Sequence, residues 1–118
     1  MPTTIINYPD ERGIVGRPYT LFCNNSLNES VSWWRLSSPD ADYEFISYYD
    51  GILLNGFAER CRMDGDNLVF HKLELNDTGI YLCVEEAGQG LRHVTHLTVS
   101  GNQRCVSDWK LINVNAVL

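Results

Sequence analysis

The sequence predicts an all-β domain built from two stacked sheets. Turn signals such as "NNSLNES", "SSPDAD", "DGDN" and "NDTG" recur roughly every 8 to 12 residues. The segments between them are short and rich in β-branched and aromatic residues, and none sustains a helical apolar period over three turns. About eight or nine such strands within 118 residues fit a two-sheet sandwich better than a closed barrel.

Three segments alternate clearly enough to predict which residues face the core. They are "VGRPYTLFC", "DNLVFHKLEL" and "VTHLTVS". In a strand, successive side chains point to opposite faces of the sheet, so every second residue shares a face. The inward positions predicted in this way are Val15, Tyr19, Leu21, Cys23, Leu68, Phe70, Leu97 and Val99, and Leu73 is expected to turn inward half a turn later.

The chain divides into one domain over residues 1–101 and a tail or stalk over residues 102–118. The turn rhythm stops at Gly101, and a chain of 118 residues is expected to form a single hydrophobic core. The tail keeps apolar residues, among them Val106 and Trp109. We therefore expect it to pack on a protein surface rather than to act as a purely solvated linker.

Charge and hydropathy exclude two classes of partner. The formal net charge is -6, and nucleic-acid affinity depends mainly on Lys and Arg contacts to phosphate, so a nucleic-acid partner is not expected. The longest apolar run is the five residues 80–84, far short of the roughly 20 that cross a bilayer. Any membrane attachment is expected to come from segments outside this chain.

Catalytic and metal-binding patterns are missing from the sequence. His93 and His96 fall on opposite faces of a strand, so they do not form a metal-binding pair. The chain has no G-x-S-x-G elbow and no P-loop, and "DGDN" lacks the further carboxylates of a calcium loop. We expect a protein that is not an enzyme and that needs no cofactor or metal.

Cysteines and sequons indicate an oxidising, glycosylating compartment. The four cysteines are an even number and contain no C-x-x-C pair, which favours disulfides over a zinc or redox site. Three N-x-[ST] acceptors occur, at Asn24, Asn28 and Asn76. The expected location is extracellular, either at the cell surface or secreted.

The spacing of five residue types carries a family resemblance. Cys23 is followed by "WW" after nine residues, and "DTGIYLC" ends at Cys83, with 59 residues between the two cysteines. The pattern resembles the immunoglobulin superfamily over about residues 3 to 100, and the long middle region resembles its variable (V-set) type. Such domains occur in antigen receptors and immune-type cell-surface receptors. The resemblance implies an antiparallel sandwich with Greek-key connections.

The resemblance assigns structural roles to the shared residues. It implies a Cys23–Cys83 disulfide between the sheets, with the Trp33 indole packed on it. It also implies that Tyr81 is a tyrosine corner, whose hydroxyl bonds back to the preceding turn. Asp77 is expected to be buried at that turn.

The buried carboxylate of Asp77 is expected to pair with a cation. The first candidate is Arg60, and the alternative is Arg62.

The two remaining cysteines are also expected to have partners. Cys61 lies next to Arg60, at the end of the sandwich where the last strand exits. We expect a Cys61–Cys105 bridge that ties the tail to the domain, and the alternative is that one of the two cysteines bridges to a second chain.

The segment Gly88-Gln89-Gly90 has two interpretations. It is similar to the G-x-G joining segment of antigen-receptor V domains, although Ala87 stands where that pattern has an aromatic residue. On that interpretation it forms a bulge. The alternative is a tight hairpin between the last two strands.

Strand alternation predicts an outward apolar patch on one sheet. If Trp33 and Cys83 face the core, then the residues next to them face outward, and the neighbouring strands add an aromatic and a valine. The predicted partner-binding residues are Trp34, Leu36, Tyr48, Leu82, Val84 and Val94. Phe45 and Tyr49 replace Tyr48 in other registers. Arg35, Glu85 and Glu86 are expected near the rim of the patch.

Two functions are compatible with this sequence. The first is the extracellular recognition domain of an immune-type or adhesion receptor, which binds another V-type domain or a second copy of itself through the sheet that contains Trp34. The second is a secreted innate-defence or lectin-like V domain that binds glycans or microbial polymers through its loops. The paired sequons at Asn24 and Asn28 crowd the first loop and therefore favour the sheet.

Overall fold

The computed structural model describes residues 5–23, 30–38, 40–54, 56–86 and 92–101. Within these ranges the chain forms nine strands, one short helix and one 3₁₀ turn. The strands are β1 (Ile5–Asn7), β2 (Glu11–Ile14), β3 (Tyr19–Leu21), β4 (Val31–Leu36), β5 (Glu44–Ser47), β6 (Cys61–Asp64), β7 (Asn67–Phe70), β8 (Gly79–Glu85) and β9 (Arg92–Ser100). Helix α1 covers Phe57–Arg60, and the 3₁₀ turn covers Leu75–Asp77.

The strands form two sheets, so the predicted all-β sandwich is confirmed. The larger sheet has the order β1-β9-β8-β4-β5, with β2 also paired to β9. The smaller sheet has the order β3-β7-β6. In the centre of the larger sheet, β8 pairs with β4 on one side, from Val31 opposite Glu85 to Leu36 opposite Ile80, and with β9 on the other.

One edge of the larger sheet departs from the expected antiparallel pattern. Both β1 and β2 run parallel to β9, with Ile5 opposite Arg92 and Glu11 opposite Leu97. Pro9 lies between the two short strands. Because proline has no backbone N–H to donate, it interrupts the ladder and divides the N-terminal segment into two pieces.

The core lies between the sheets and contains the predicted inward residues. Val15 and Tyr19 are partly buried against it, and the other seven are buried. The buried cluster consists of Leu21, Cys23, Val31, Trp33, Ile46, Phe57, Cys61, Leu68, Phe70, Leu73, Tyr81, Cys83, Leu97 and Val99. Seven of these fourteen residues are among the inward positions predicted from the three strand segments.

A disulfide and a tryptophan join the two sheets at the centre of the core. Cys23 follows β3 and Cys83 lies in β8, and their sulfurs are bonded across a Cα–Cα distance of 6.0 Å. Trp33 lies opposite Cys83 in the ladder and is 1% exposed. Its indole N–H donates to the carbonyl of Asp66, 2.9 Å away, in the hairpin between β6 and β7. Trp33 therefore contacts both sheets.

The turn before β8 is fixed by a tyrosine and an ion pair. The Tyr81 hydroxyl donates to the backbone carbonyl of Asp77 at 2.5 Å. The Asp77 carboxylate accepts from Arg60 at 2.5 Å and from the Glu74 backbone N–H at 2.7 Å. The hydrogen bond to Asp77 raises the pKa of Arg60, and burial raises the pKa of Tyr81. Arg60, rather than the exposed Arg62, is the cation against Asp77.

Cys61 is buried at the start of β6. Its side chain is 2% exposed, it has no disulfide partner among the residues that the structure describes, and burial raises the pKa of its thiol to about 12. The proposed partner Cys105 lies outside the described residues, so the second bridge stays a prediction. The expectations for the tail over residues 102–118, for the sequons at Asn24 and Asn28 and for the segment 88–90 also concern residues outside the described ranges. They stay predictions as well.

Candidate interaction surface

The outer face of the larger sheet carries a cluster of aromatic side chains around Trp34. Trp34 follows the buried Trp33 in β4, and alternation turns it to the opposite face. The pairing of β4 with β5 shifts register between Trp33 and Trp34, so Phe45 lies opposite Trp34. The Trp34 and Phe45 ring centroids are 4.4 Å apart, and the Tyr43 ring meets Trp34 edge-on at 6.3 Å.

These side chains surround a shallow pocket. Its volume is about 280 Å³, and it is lined by Trp34, Tyr43, Tyr49, Leu82 and Val84. Leu82 lies directly opposite Trp34 in the ladder between β4 and β8. The Trp34 indole N–H donates to the Ser32 hydroxyl at 2.9 Å, which holds the ring in place. The result is a preformed concave site with aromatic walls and an aliphatic floor.

The predicted partner-binding residues differ in accessibility. Trp34, Val84 and Val94 are half-buried, and Tyr48 is 48% exposed. Leu36 and Leu82 are 9% and 5% exposed, so the expectation that both are open to a partner is not met. The physical reason is that a side chain on the outer face of a sheet can be covered by larger neighbours on adjacent strands. Leu82 keeps a role as part of the pocket lining.

Tyr43 was not predicted from the sequence to belong to this surface. It lies just before β5, between Asp42 and Glu44, and is 52% exposed. Tyr49 was considered only as an alternative to Tyr48, and it is Tyr49 that lines the pocket. The available signal was the aromatic residues in "DADYEFISYYD", but the register of β5 could not be read from the sequence.

Arg35 is not a free cation at the rim of the patch. Its guanidinium forms an ion pair with Glu44 at 3.4 Å, and it donates to the backbone carbonyls of Thr78, at 3.0 Å, and of Asn76. It also lies over the ring of Tyr81, at 5.8 Å from the centroid. Its charge and donors are thus used to hold the end of β4 against the turn before β8. The Asn76 side chain at that turn is exposed, so this sequon is accessible.

A hydrogen-bonded network of polar side chains is buried near the opposite end of β8. Glu85 was expected near the rim, but it is 1% exposed, because it lies two residues after Cys83 and therefore shares its inward face. One Glu85 carboxylate oxygen lies 2.6 Å from His93 Nε2, and His93 Nδ1 lies 2.6 Å from the Tyr8 hydroxyl. The other Glu85 oxygen has no hydrogen-bond partner among the described residues. His93 itself is 3% exposed.

The described part of the chain contains neither a metal-binding cluster nor a membrane-spanning helix. No group of three His, Cys, Asp or Glu side chains within it is arranged to hold a metal ion. No helix in the same ranges has the length and apolar character that crossing a membrane requires.

Comparisons with known proteins place the chain by its structure rather than its sequence. No protein-family model matches it, and no curated protein matches it. Among solved structures, the crystal structure of the ZIG-8 IG1 homodimer is similar, with a TM-score of 0.62 over 84% of this chain and 80% of that chain. The sequences are 19% identical, so the similarity carries over the fold alone.

Proposed function

Because this chain has the immunoglobulin fold of the V type, we propose that it is the extracellular recognition domain of an immune-type or adhesion receptor. On this proposal it binds a protein partner through the outer face of its larger sheet. The partner is another V-type domain or a second copy of this chain. The observation that carries the proposal is the open aromatic pocket around Trp34 on that face.

The composition of the pocket supports protein binding. Trp and Tyr are enriched at binding hot spots, where they bury large areas and lose few rotamers. Tyr43 and Tyr48, at the edge of the aromatic cluster, are about half exposed in the isolated domain, at 52% and 48%. A solvated sheet face is expected to alternate toward polar residues, so an aromatic cluster with exposed members favours an interaction site.

Two further observations support an extracellular role and a related partner. The Cys23–Cys83 disulfide and the exposed Asn76 sequon suit an oxidising compartment that glycosylates its proteins. The similar IG1 domain of ZIG-8 forms a homodimer in its crystal structure, which supports pairing between domains of this fold.

Replacing Trp34 tests the proposal. Trp34→Ala removes the central ring of the pocket but leaves the buried Trp33 in place, so the fold should survive. Phe22→Ala is a matched control, because Phe22 is a 63% exposed aromatic side chain that follows β3 of the other sheet. Sedimentation over a concentration series measures self-association, and a panel of V-type ectodomains measures binding to other partners.

We expect Trp34→Ala to weaken association by about 30-fold or more, which is roughly the 2 kcal/mol of a hot-spot residue. Phe22→Ala should have no effect. A monomer whose binding to every V-type ectodomain is unchanged by Trp34→Ala would contradict the proposal. Binding to a glycan array that is unaffected by Trp34→Ala would instead place the site in the loops.

A further inference from the structure

Acidic residues lie within one or two positions of several pocket-lining residues in the sequence. Tyr43 lies between Asp42 and Glu44, Tyr49 is followed by Asp50, and Val84 is followed two residues later by Glu86. Asp42, Asp50 and Glu86 are exposed. The electronegative faces of the aromatic rings and these carboxylates favour the same kind of ligand group, which is a cation.

The cations of the same sheet do not offset the negative charge of these carboxylates. One terminal nitrogen of Arg35 is paired with Glu44, and the other donates to the backbone carbonyls of Asn76 and Thr78. Arg92 occupies the position of β9 that pairs with Val84, next to the pocket. Residues 42–50 and 82–86, which supply four of the five lining residues, contain no Lys or Arg, and the whole chain carries -6.

The size of the pocket indicates one side chain rather than a whole small molecule. Its volume of about 280 Å³ lies just below the range of about 300–1,000 Å³ that is typical of small-molecule sites. It is open on one side because it lies on a sheet face. A long side chain from a partner surface could enter it, whereas a free ligand would remain largely exposed.

We propose that the pocket receives an arginine or lysine side chain from a partner with a basic surface, and that this partner is a different protein rather than a second copy of the chain. The proposal rests on the proposed function, because it uses the same face of the sheet. The guanidinium or ammonium group lies over the Trp34 and Tyr rings, and the surrounding carboxylates attract it. Two copies that each carry a net charge of -6 would repel one another at this face.

Two short peptides that differ only in charge test the proposal. The first is acetyl-Gly-Arg-Gly-amide, and the second carries citrulline, which has nearly the shape of arginine without its charge. Chemical shifts of the Trp34 indole N–H, followed during titration, report occupation of the pocket. We expect the arginine peptide to shift this signal and the citrulline peptide to leave it unchanged at the same concentrations.

Variants of the chain measure how much the carboxylates contribute to arginine binding. Asp42→Asn and Asp50→Asn should each weaken arginine binding at low salt by about 1.4- to 5-fold, the range measured for exposed ion pairs. Both effects should shrink at high salt because the charges are screened. Arg12→Gln is a control of similar kind, because Arg12 is an exposed charge on β2 at the edge of the sheet, and it should change nothing.

The outcomes distinguish this inference from the proposed function. Equal shifts with the arginine and citrulline peptides, or no shift with either, overturn the inference. If Trp34→Ala still abolishes protein association in that case, the proposed function stands without it. Self-association that strengthens with salt and is lost in Trp34→Ala also overturns the inference, because it makes a second copy the partner.

Discussion

Removing His93 should destabilise the domain more than any surface substitution. His93 is 3% exposed and lies 2.6 Å from the carboxylate of Glu85, which is 1% exposed. The other Glu85 oxygen already lacks a partner among the described residues, so His93 supplies the contact that compensates for burial of this carboxylate. Breaking a buried pair by removing one partner costs about 3–5 kcal/mol. We expect His93→Leu to fall in that range.

The double variant Glu85→Leu with His93→Leu provides the decisive comparison. Because it removes both polar groups and fills the space with apolar atoms, it should be far less destabilised than the single variant, and it can even equal the wild type. Urea unfolding, followed by the fluorescence of the buried Trp33, gives the free energy of unfolding for each protein. Tyr8→Phe, which removes one hydrogen bond to His93, should cost about 1 kcal/mol.

Two results would refute this reasoning. If His93→Leu costs less than about 1 kcal/mol, the Glu85 carboxylate does not depend on His93. If the cost of the double variant equals the sum of the single costs for His93→Leu and Glu85→Leu, the two side chains are not energetically coupled. Either result would mean that the buried network contributes little to stability.

Three other predictions concern the cysteines and Tyr81. Replacing Cys23 and Cys83 with alanine should lower the free energy of unfolding by about 4 kcal/mol, measured in urea, because the closed loop spans a sequence separation of 60 residues. Burial raises the pKa of Tyr81 above its ordinary value of about 10, so its stabilising contribution is complete below that pH and is lost as the pH rises further. Alkaline unfolding, followed by circular dichroism, should therefore begin at a higher pH in Tyr81→Phe than in the wild type. At neutral pH the free energy of unfolding of this variant should be lower by about 1 kcal/mol, because the hydrogen bond of the hydroxyl is lost. Peptide mapping without reduction should find Cys61 joined to Cys105, and a free thiol at Cys61 or an interchain link through Cys105 would contradict the bridge. In Cys105→Ser the Cys61 thiol should resist alkylation at pH 8, because burial raises its pKa to about 12.

The parts of the molecule that depend on fixed spacing could be predicted from the sequence. The family resemblance carried by Cys23 and "DTGIYLC" implied the disulfide and the tyrosine contact, and simple alternation gave the inward residues of β3, β7 and β9. The inward residues follow from the period of a strand and the tyrosine contact from a short turn, both of which are local properties of the chain.

Features that depend on neighbouring strands could not be predicted in the same way. Glu85 is buried although the sequence predicted it near the rim, and alternation from Cys83 points it inward. The burial of Glu85 depends on its contact with His93 of β9. This contact could not be predicted without knowing the register between β8 and β9. Likewise, the placement of Phe45 opposite Trp34 depends on the register shift between β4 and β5.

The short outer strands of the sandwich limit how this protein can assemble. Strand β3 has three residues and β6 has four, and β6 carries the exposed side chains of Arg62 and Asp64. Short strands and charged side chains at a sheet margin discourage the addition of a strand from another molecule. Growth by strand addition, which leads to fibres, is therefore disfavoured at these two margins. Association through a sheet face instead ends when the two faces are covered, so complexes of this domain are expected to be finite and soluble.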